Sequence, residues 1–363
     1  MEIFIIYRSQ NNVEKKKEVK DNNYIYITHT HTETGKYTYK IFKVKNNMSS
    51  LTNINELADN NNNNTNEDGN NNNNNNNSNN NNNNNNDNNA SQKIDFSNIK
   101  SVNTVNSRAR KGRKSLYVNN LFLKPIHKDI RGDKEIAFYE EFWSSESKHS
   151  NPGSLALDFI LKYYGVEFNQ DEEKFIKMTN IETDYRKPCV IDLKIGTQTY
   201  DEDASDEKKA KQIKKFKYQE QLGYRLTGMK IYDIEQKAYR KFDNQYGRHL
   251  TNLNAGQGLM NFFFDGQLVR LDAVKSIKSK LENVLKWFEE QTDFRFYAHS
   301  LLFVYEGDSN NNNTTDVKLI DFAHWYKSKP EDGRKDNGSI KGINNILKVL
   351  NAIENFCLTV QAT

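Results

Sequence analysis

Pro188-Cys-Val-Ile-Asp192-Leu-Lys194-Ile-Gly196 decides how the rest of the chain is read. An otherwise apolar run carries a carboxylate and an amine two residues apart. On a strand, positions i and i+2 point to the same face. Asp192 and Lys194 therefore share one face, and Ile191 and Leu193 are expected to be buried on the other. Opposite charges placed together at a strand end, next to a glycine, suit a phosphate and metal site. A strand with a surface ion pair would account for the stretch taken alone.

A second run, Val317-Lys-Leu-Ile-Asp321-Phe-Ala-His324, has the same character. In phosphoryl transfer an Asp at a strand end commonly holds the Mg2+ that bridges the nucleotide phosphates. His324 follows three residues after this candidate ligand. A role near the transferred phosphate is then expected of it, where a lone His would be structural.

The spacing P-x-x-x-D-x-K-x-G, with Ser300-Leu-Leu and Ile320-Asp-Phe-x-His behind it, resembles the inositol polyphosphate kinase family. Ala204-Ser-Asp-Glu-Lys208, Gly228-Met229, Tyr246-Gly-Arg248 and Ser300-Leu-Leu302 also fall in the family's order. The resemblance covers about two thirds of the chain, from Leu121 to the end. Gly228-Met-Lys-Ile-Tyr232 and the run from Phe296 to Gly307 look most like the multikinase branch. The resemblance implies an α+β, two-lobed kinase-like fold of the inositol polyphosphate kinase and SAICAR synthase type. Each lobe would hold an antiparallel sheet, with ATP in the cleft between them.

Composition sets the outer bounds. Of 363 residues only 35% are hydrophobic, and most of the deficit lies between Asn60 and Asn89, where nearly every residue is Asn. Such a tract buries nothing that could offset its ordering entropy, so residues 51–93 are read as a disordered insert. A net charge of +4 gives no reason to expect nucleic acid as a partner. Two cysteines make no disulfide framework. No apolar run reaches the ~18–20 residues of a membrane span, and Met1-Glu-Ile-Phe-Ile-Ile-Tyr7 is unlike a signal peptide. A cytoplasmic monomer is expected. The basic cluster Arg108, Arg110, Lys111, Arg113 and Lys114 adds the nucleus as an alternative or second location.

Residues 1–50 contain strand-like runs at Ile3–Tyr7, Tyr24–Thr28 and Tyr37–Val44, with a turn signal over Glu33–Lys36. Residues 94–181 are assigned to an amino-terminal nucleotide-binding lobe and 182–363 to the carboxy-terminal lobe. Ser115–Val118 and Leu121–Leu123 flank Asn119-Asn120, a two-residue hairpin signal. Lys124 closes the second strand, and Ile136, Phe138, Tyr139 and Phe142 mark the apolar face of a helix bearing Glu135. Strand, Lys, then a helix with Glu resembles the nucleotide-clamping half of a kinase, where the Lys neutralises phosphate oxygens and the Glu holds it. Phe175–Met178 reads as a strand leading into Thr179-Asn-Ile181, the segment that in the family binds adenine through backbone groups. Val274, Ile277, Leu281, Val284, Leu285 and Phe288 form a helical core stripe, and Ile340–Phe356 repeats the pattern. The loop Gly307–Thr315 is polar.

Residues 205–217 read as a helix opened by Ser205, with a Glu207–Lys211 pair one turn apart. Lys208, Gln212 and Lys215 fall on one face. A polyphosphorylated inositol is a compact polyanion, and such residues bind phosphate oxygens by charge-assisted bonds. The bare sequence fits a solvated basic helix equally well. The family's phosphate-binding residues fall on Lys208, Gln212 and Lys215, and Lys230 stands where the multikinase branch usually has Arg.

The resemblance implies ATP- and Mg2+-dependent phosphorylation of hydroxyls on soluble inositol polyphosphates, with phosphoinositide lipid as a further candidate substrate. Lys124, Glu135, Thr179, Ile181, Asp192 and Asp321 would hold the nucleotide, and Asp321 the metal. Lys194 would stabilise the transferring group, Asp192 would contact the ribose or accept the hydroxyl proton, and His324 would contact a substrate phosphate. The alternatives are a hexakisphosphate kinase making pyrophosphates and a catalytically idle phosphate-binding scaffold.

Overall fold

The computed structural model describes residues 23–31, 37–45, 101–102, 114–144, 153–308, 314–328 and 334–361, the first three as backbone. The asparagine tract, the run Ile3–Tyr7, the turn over Glu33–Lys36, residues 309–313 and the basic residues Arg108–Arg113 lie outside them.

Strands β1 (Asn23–His31) and β2 (Tyr37–Lys45) pair antiparallel as a two-stranded sheet of their own. The first five-stranded sheet has the order β3-β4-β5-β7-β6. It is built from β3 (Ser101–Val102), β4 (Ser115–Val118), β5 (Leu121–Pro125), β6 (Tyr163–Phe168) and β7 (Lys174–Thr179). Asn119 takes φ +52° in the β4–β5 turn, the left-handed conformation that Asn tolerates better than most side chains. Helix α1 (Ile130–Trp143) opens on Asp129, whose carboxylate accepts the Arg131 N–H. Helix α2 (Gly153–Phe159) and strand β6 gave no signal in the sequence.

The second five-stranded sheet, β10-β9-β8-β12-β13, is also antiparallel throughout. Its centre is β8 (Pro188–Ile195), between β9 (Tyr224–Asp233) and β12 (Ser300–Glu306). Strands β10 (Ala238–Phe242) and β13 (Thr315–Ile320) form the edges. The small ladder β11 (Phe294–Phe296) with β14 (Trp325–Lys327) lies between the lobes. The helices of this lobe are α3 (Asp206–Lys215), α4 (Gln219–Leu222), α5 (Asn244–His249), α6 (Ala255–Phe263), α7 (Leu271–Glu290) and α8 (Asn337–Gln361).

Burial sets the helices of this lobe apart. On α7 seven residues are buried, among them Val274, Ile277, Leu281, Val284 and Phe288 of the expected stripe. Each such side chain contributes about 1.5–3 kcal/mol on leaving water. On α3 no residue is buried. Its orientation must come from polar contacts, and its role from the surface it presents. The helix ends at Lys215, two residues earlier than the expected boundary, because Phe216 turns into the core at 4% exposure. In place of the expected Glu207–Lys211 pair, Lys209 pairs with Asp206 at 3.5 Å.

The lobes share one core. Phe138 of α1 is fully buried, stacks on Phe322 with ring centroids 3.9 Å apart, and meets Phe294, Phe296 and Trp325 edge-on. Phe322 directly follows Asp321. The apolar face of α1 therefore fixes Asp321 relative to Glu135 on the same helix.

Candidate active site

On β8 the face opposite the site is apolar, with Ile191, Leu193 and Ile195 at 0% exposure. The other face carries Asp192 and Lys194 into the cleft. Lys194 lies opposite Arg225 of β9 on one side and Ser300 of β12 on the other. The β8–β9 register shifts between Asp192 and Leu193, which brings the Thr227 hydroxyl within 2.6 Å of Asp192 Oδ1. Asp192 is itself buried, so a surface ion pair does not account for the stretch. Lys194 Nζ donates to the Ala298 carbonyl at 2.5 Å. Ala298 holds φ +53°, and the next carbonyl, of His299, accepts the Ile195 N–H at 3.1 Å. The turn before β12 is thereby clamped to the end of β8.

Asp321 ends β13 at φ +69°, an uncommon conformation for Asp and one that costs energy unless its surroundings enforce it. Across the cleft, Lys124 Nζ lies 2.6 Å from Asp321 Oδ1 and 2.6 Å from Glu135 Oε1. One ammonium thus joins the first sheet, helix α1 and the end of β13.

The electrostatics set the two aspartates apart. Burial and the nearby Asp321 charge push the Asp192 carboxyl up, with Lys194 and Thr227 opposing. Against its own burial, the charges of Lys124 and Lys194 hold Asp321 down at about 2. Burial pulls Lys194 below an ordinary lysine, although Asp321 and Asp192 favour its charge. Despite its burial, Lys124 is held in the charged form by Asp321 and Glu135. Two neighbouring carboxylates with separated affinities for a proton can divide the tasks of holding a cation and accepting a proton.

Above these groups lies a cavity of about 160 Å³. Tyr117, Phe122, Met178, Ile181, Leu302 and Ile320 give it apolar walls, and Lys124, Asp192 and Asp321 also line it. Thr179 and Ile181 of the interlobe connection border it as well. The Thr179 N–H is engaged by the Lys162 carbonyl and the Asn180 N–H by the Asn120 carbonyl.

On the side of α3, cations gather. Lys215 Nζ donates to Gln212 Oε1 at 2.8 Å. Its pKa is lowered by burial and by the charges of Arg225, Arg248, Lys194 and Lys211. Arg225, 8% exposed, is pushed down to about 10 by burial and by Arg248. Lys208 and His324 both reach Asp201, at 2.7 and 2.8 Å. Lys230, expected in this group, stands elsewhere: its ammonium pairs with Glu182 at 2.5 Å, and Glu182 also accepts from Tyr117 at 3.3 Å. The cause is register, since Lys230 lies opposite Val190, toward the interlobe connection and away from Lys194.

Arg225, Arg248 and Asp201 are additions that the sequence reading left without a role. Arg248 lay within a quoted motif. Arg225 gave no local signal, because its relation to Lys194 exists only across the β8–β9 ladder.

Two antiparallel sheets joined by a short connection, with a lysine of one lobe bonded to an aspartate of the other, define a kinase-like two-lobed protein. Comparison with known proteins makes this specific. Residues 175–351 match the family model for inositol polyphosphate kinase. The human inositol polyphosphate multikinase is 33% identical over 235 residues, covering 64% of this chain and 55% of that protein. The mouse inositol hexakisphosphate kinase 3 is 32% identical over 203 residues, 50% of this chain and 51% of that protein. The chain thus spans about half the length of the curated relatives it matches. The crystal structure of the S. cerevisiae inositol phosphate multikinase Ipk2 with ADP and Mn2+ superposes with a TM-score of 0.53 at 22% identity, covering 64% of this chain and 98% of that one. A second inositol phosphate multikinase structure gives 0.52 at 27% identity, covering 60% and 99%.

Proposed function

We propose that this protein is an ATP- and Mg2+-dependent kinase that phosphorylates hydroxyls of inositol polyphosphates, acting on tris- and tetrakisphosphates in the multikinase manner. The observation that carries the proposal is the meeting of Lys124, Asp321, Asp192 and Lys194 at the cleft, with the α3 cations on one side of it. A buried, mutually perturbed lysine–aspartate set lining a cleft favours a catalytic site over a scaffold.

The residues present fit a magnesium nucleotide. Asp321 is ionised, and Asp192 lies close enough to it for that charge to push the Asp192 carboxyl up. Among the described residues no group of three or more His, Cys, Asp or Glu side chains converges as a metal site. That pattern suits Mg2+, which is bound through one or two carboxylates and the phosphates rather than in an all-protein cage. Bound there, the metal would neutralise charge on the phosphates. The apolar slot between the lobes takes the base. Lys124 exchanges its bond to Asp321 for a phosphate oxygen and keeps Glu135. Lys194, held by the Ala298 carbonyl, faces the transferring group. Asp192, with its raised pKa, accepts the hydroxyl proton or holds the ribose. Arg225, Arg248 and Lys215 hold substrate phosphates and align the reacting hydroxyl. Alignment and fixed charge supply most of the acceleration.

The test is direct. Purified protein, ATP and Mg2+ are incubated with individual inositol phosphates and the products separated by charge. Conversion of tris- or tetrakisphosphates to higher phosphates is the expected result, and no product from any of them refutes the proposal. The near-equal identity to a hexakisphosphate kinase supports a second reading. It requires a product from inositol hexakisphosphate more highly charged than hexakisphosphate itself.

A further inference from the structure

Between β8 and α3 stand three successive carboxylates, Asp201, Glu202 and Asp203. Glu202 and Asp203 are exposed and accept from Arg295, Tyr297 and Tyr326. Asp201 is 7% exposed, and its two oxygens serve different elements. Oδ2 accepts from Lys208 Nζ of α3 at 2.7 Å, and Oδ1 meets His324 Nδ1, three residues beyond Asp321, at 2.8 Å. An ionised carboxylate only accepts, so Nδ1 carries the hydrogen and Nε2, on the far edge of the ring, is left for another partner.

We propose that Asp201 is a positioning residue that locks Lys208 and His324 into one receptor for a substrate phosphate and ties α3 to the loop bearing Asp321. The assignment rests on the kinase reading above and adds the group that organises its substrate side. Helix α3 buries no side chain of its own, so apolar packing does not set the direction of Lys208. The bond to Asp201 does. Lys208 and a protonated His324 repel each other, and the carboxylate between them removes that cost. The charged groups facing His324 are Asp201, Lys208 and, from α1, Arg131. Burial lowers its proton affinity, the two cations lower it further, and Asp201 alone raises it. The Asp201 carboxyl, against its burial, is held below the ordinary range by Lys208 and His324, so it stays ionised.

Asp201→Asn keeps the shape and removes the charge. His324 is followed by NMR in the protein without substrate, its signal assigned with His324→Gln. The midpoint is expected to fall by about one unit. The inositol phosphate KM is expected to rise about tenfold with kcat within about threefold, and the KM ratio to grow as pH rises toward about 6.5. Glu202→Gln should leave KM unchanged. In a Lys208→Met/His324→Gln background, Asp201→Asn should cost nothing more. An unchanged midpoint and KM, or the same loss in both backgrounds, would overturn the assignment. Should Asp201→Asn fail to fold, Asp201→Glu carries the test. Its retained charge should keep the midpoint near wild type while its longer reach raises KM, and either a fallen midpoint or an unchanged KM overturns the proposal. If the wild type phosphorylates no inositol phosphate, the kinase reading falls, while the substrate-free titration of His324 still decides whether Asp201 controls it.

Discussion

Lys194 shows how one side chain is placed by three strands. Its peptide belongs to β8, its ammonium is held by the carbonyl before β12, and its charge faces the aspartate that ends β13. Replacing it with Ala removes a desolvated amine without opening an apolar cavity. Lys194→Ala should cut phosphoryl transfer at least about a hundredfold while the melting temperature stays within a few degrees. Near-normal turnover in a folded variant would refute its role. His299 makes a different prediction. It is fully buried, its Nε2 lies 3.3 Å from the Ser339 hydroxyl, and its Nδ1 has no partner among the described residues. Burial and the Lys194 charge lower its pKa from 6.5 to about 3. The unfolded chain therefore takes up this proton first as pH falls. Stability is fully present above the ordinary histidine value and declines below it, by up to about 1.4 kcal/mol per pH unit. His299→Gln should flatten the slope of melting temperature against pH between about 6.5 and about 4. A slope equal to wild type would show that other groups carry the acid sensitivity.

At the scale of elements, close approach and capping place the cations. Gly247 of α5 sits against β9: a Cβ there would stand 1.9 Å from the Leu226 carbonyl oxygen. Arg248 follows it directly, and Leu226 follows Arg225. Gly247→Ala must push α5 off the strand and separate the two arginines. The expected result is a stability loss of about 1–3 kcal/mol by denaturant titration and a raised KM. An unchanged KM would mean that Arg248 takes no part in binding. The elements most legible in the sequence were those whose pattern is local: the β4–β5 hairpin through Asn119-Asn120, the α7 stripe, and the Ser205 cap, whose hydroxyl does accept the Lys208 N–H. Strand β6 was not legible, because its residues are mostly half-buried and carry no alternation. Helix α2 is only seven residues long, too short for a periodic signal.

Across the whole molecule, the proposed substrate side is a cationic surface at the mouth of a cleft whose inner end holds paired charges. Exposed or half-exposed cations attract a polyanion from solution and are screened by salt, whereas the buried pairs are screened far less. The KM for an inositol phosphate should therefore rise severalfold between ionic strengths of about 0.05 and about 0.3 M, with a smaller change in kcat. A salt-independent KM would contradict binding by these lysines and arginines. The sequence by itself determined which side chains alternate along β8, which residue opens α3, and that a carboxylate closes the apolar run of β13, because strand period, capping and turn preference act over a few neighbouring residues. Only the tertiary structure decided that Lys124 bonds Asp321 across the cleft, that Arg225 stands beside Lys194, that Asp201 joins Lys208 to His324, and that Lys230 turns instead to Glu182. Those relations depend on sheet register and on the aromatic core around Phe138, and both come from contacts between residues far apart in the chain.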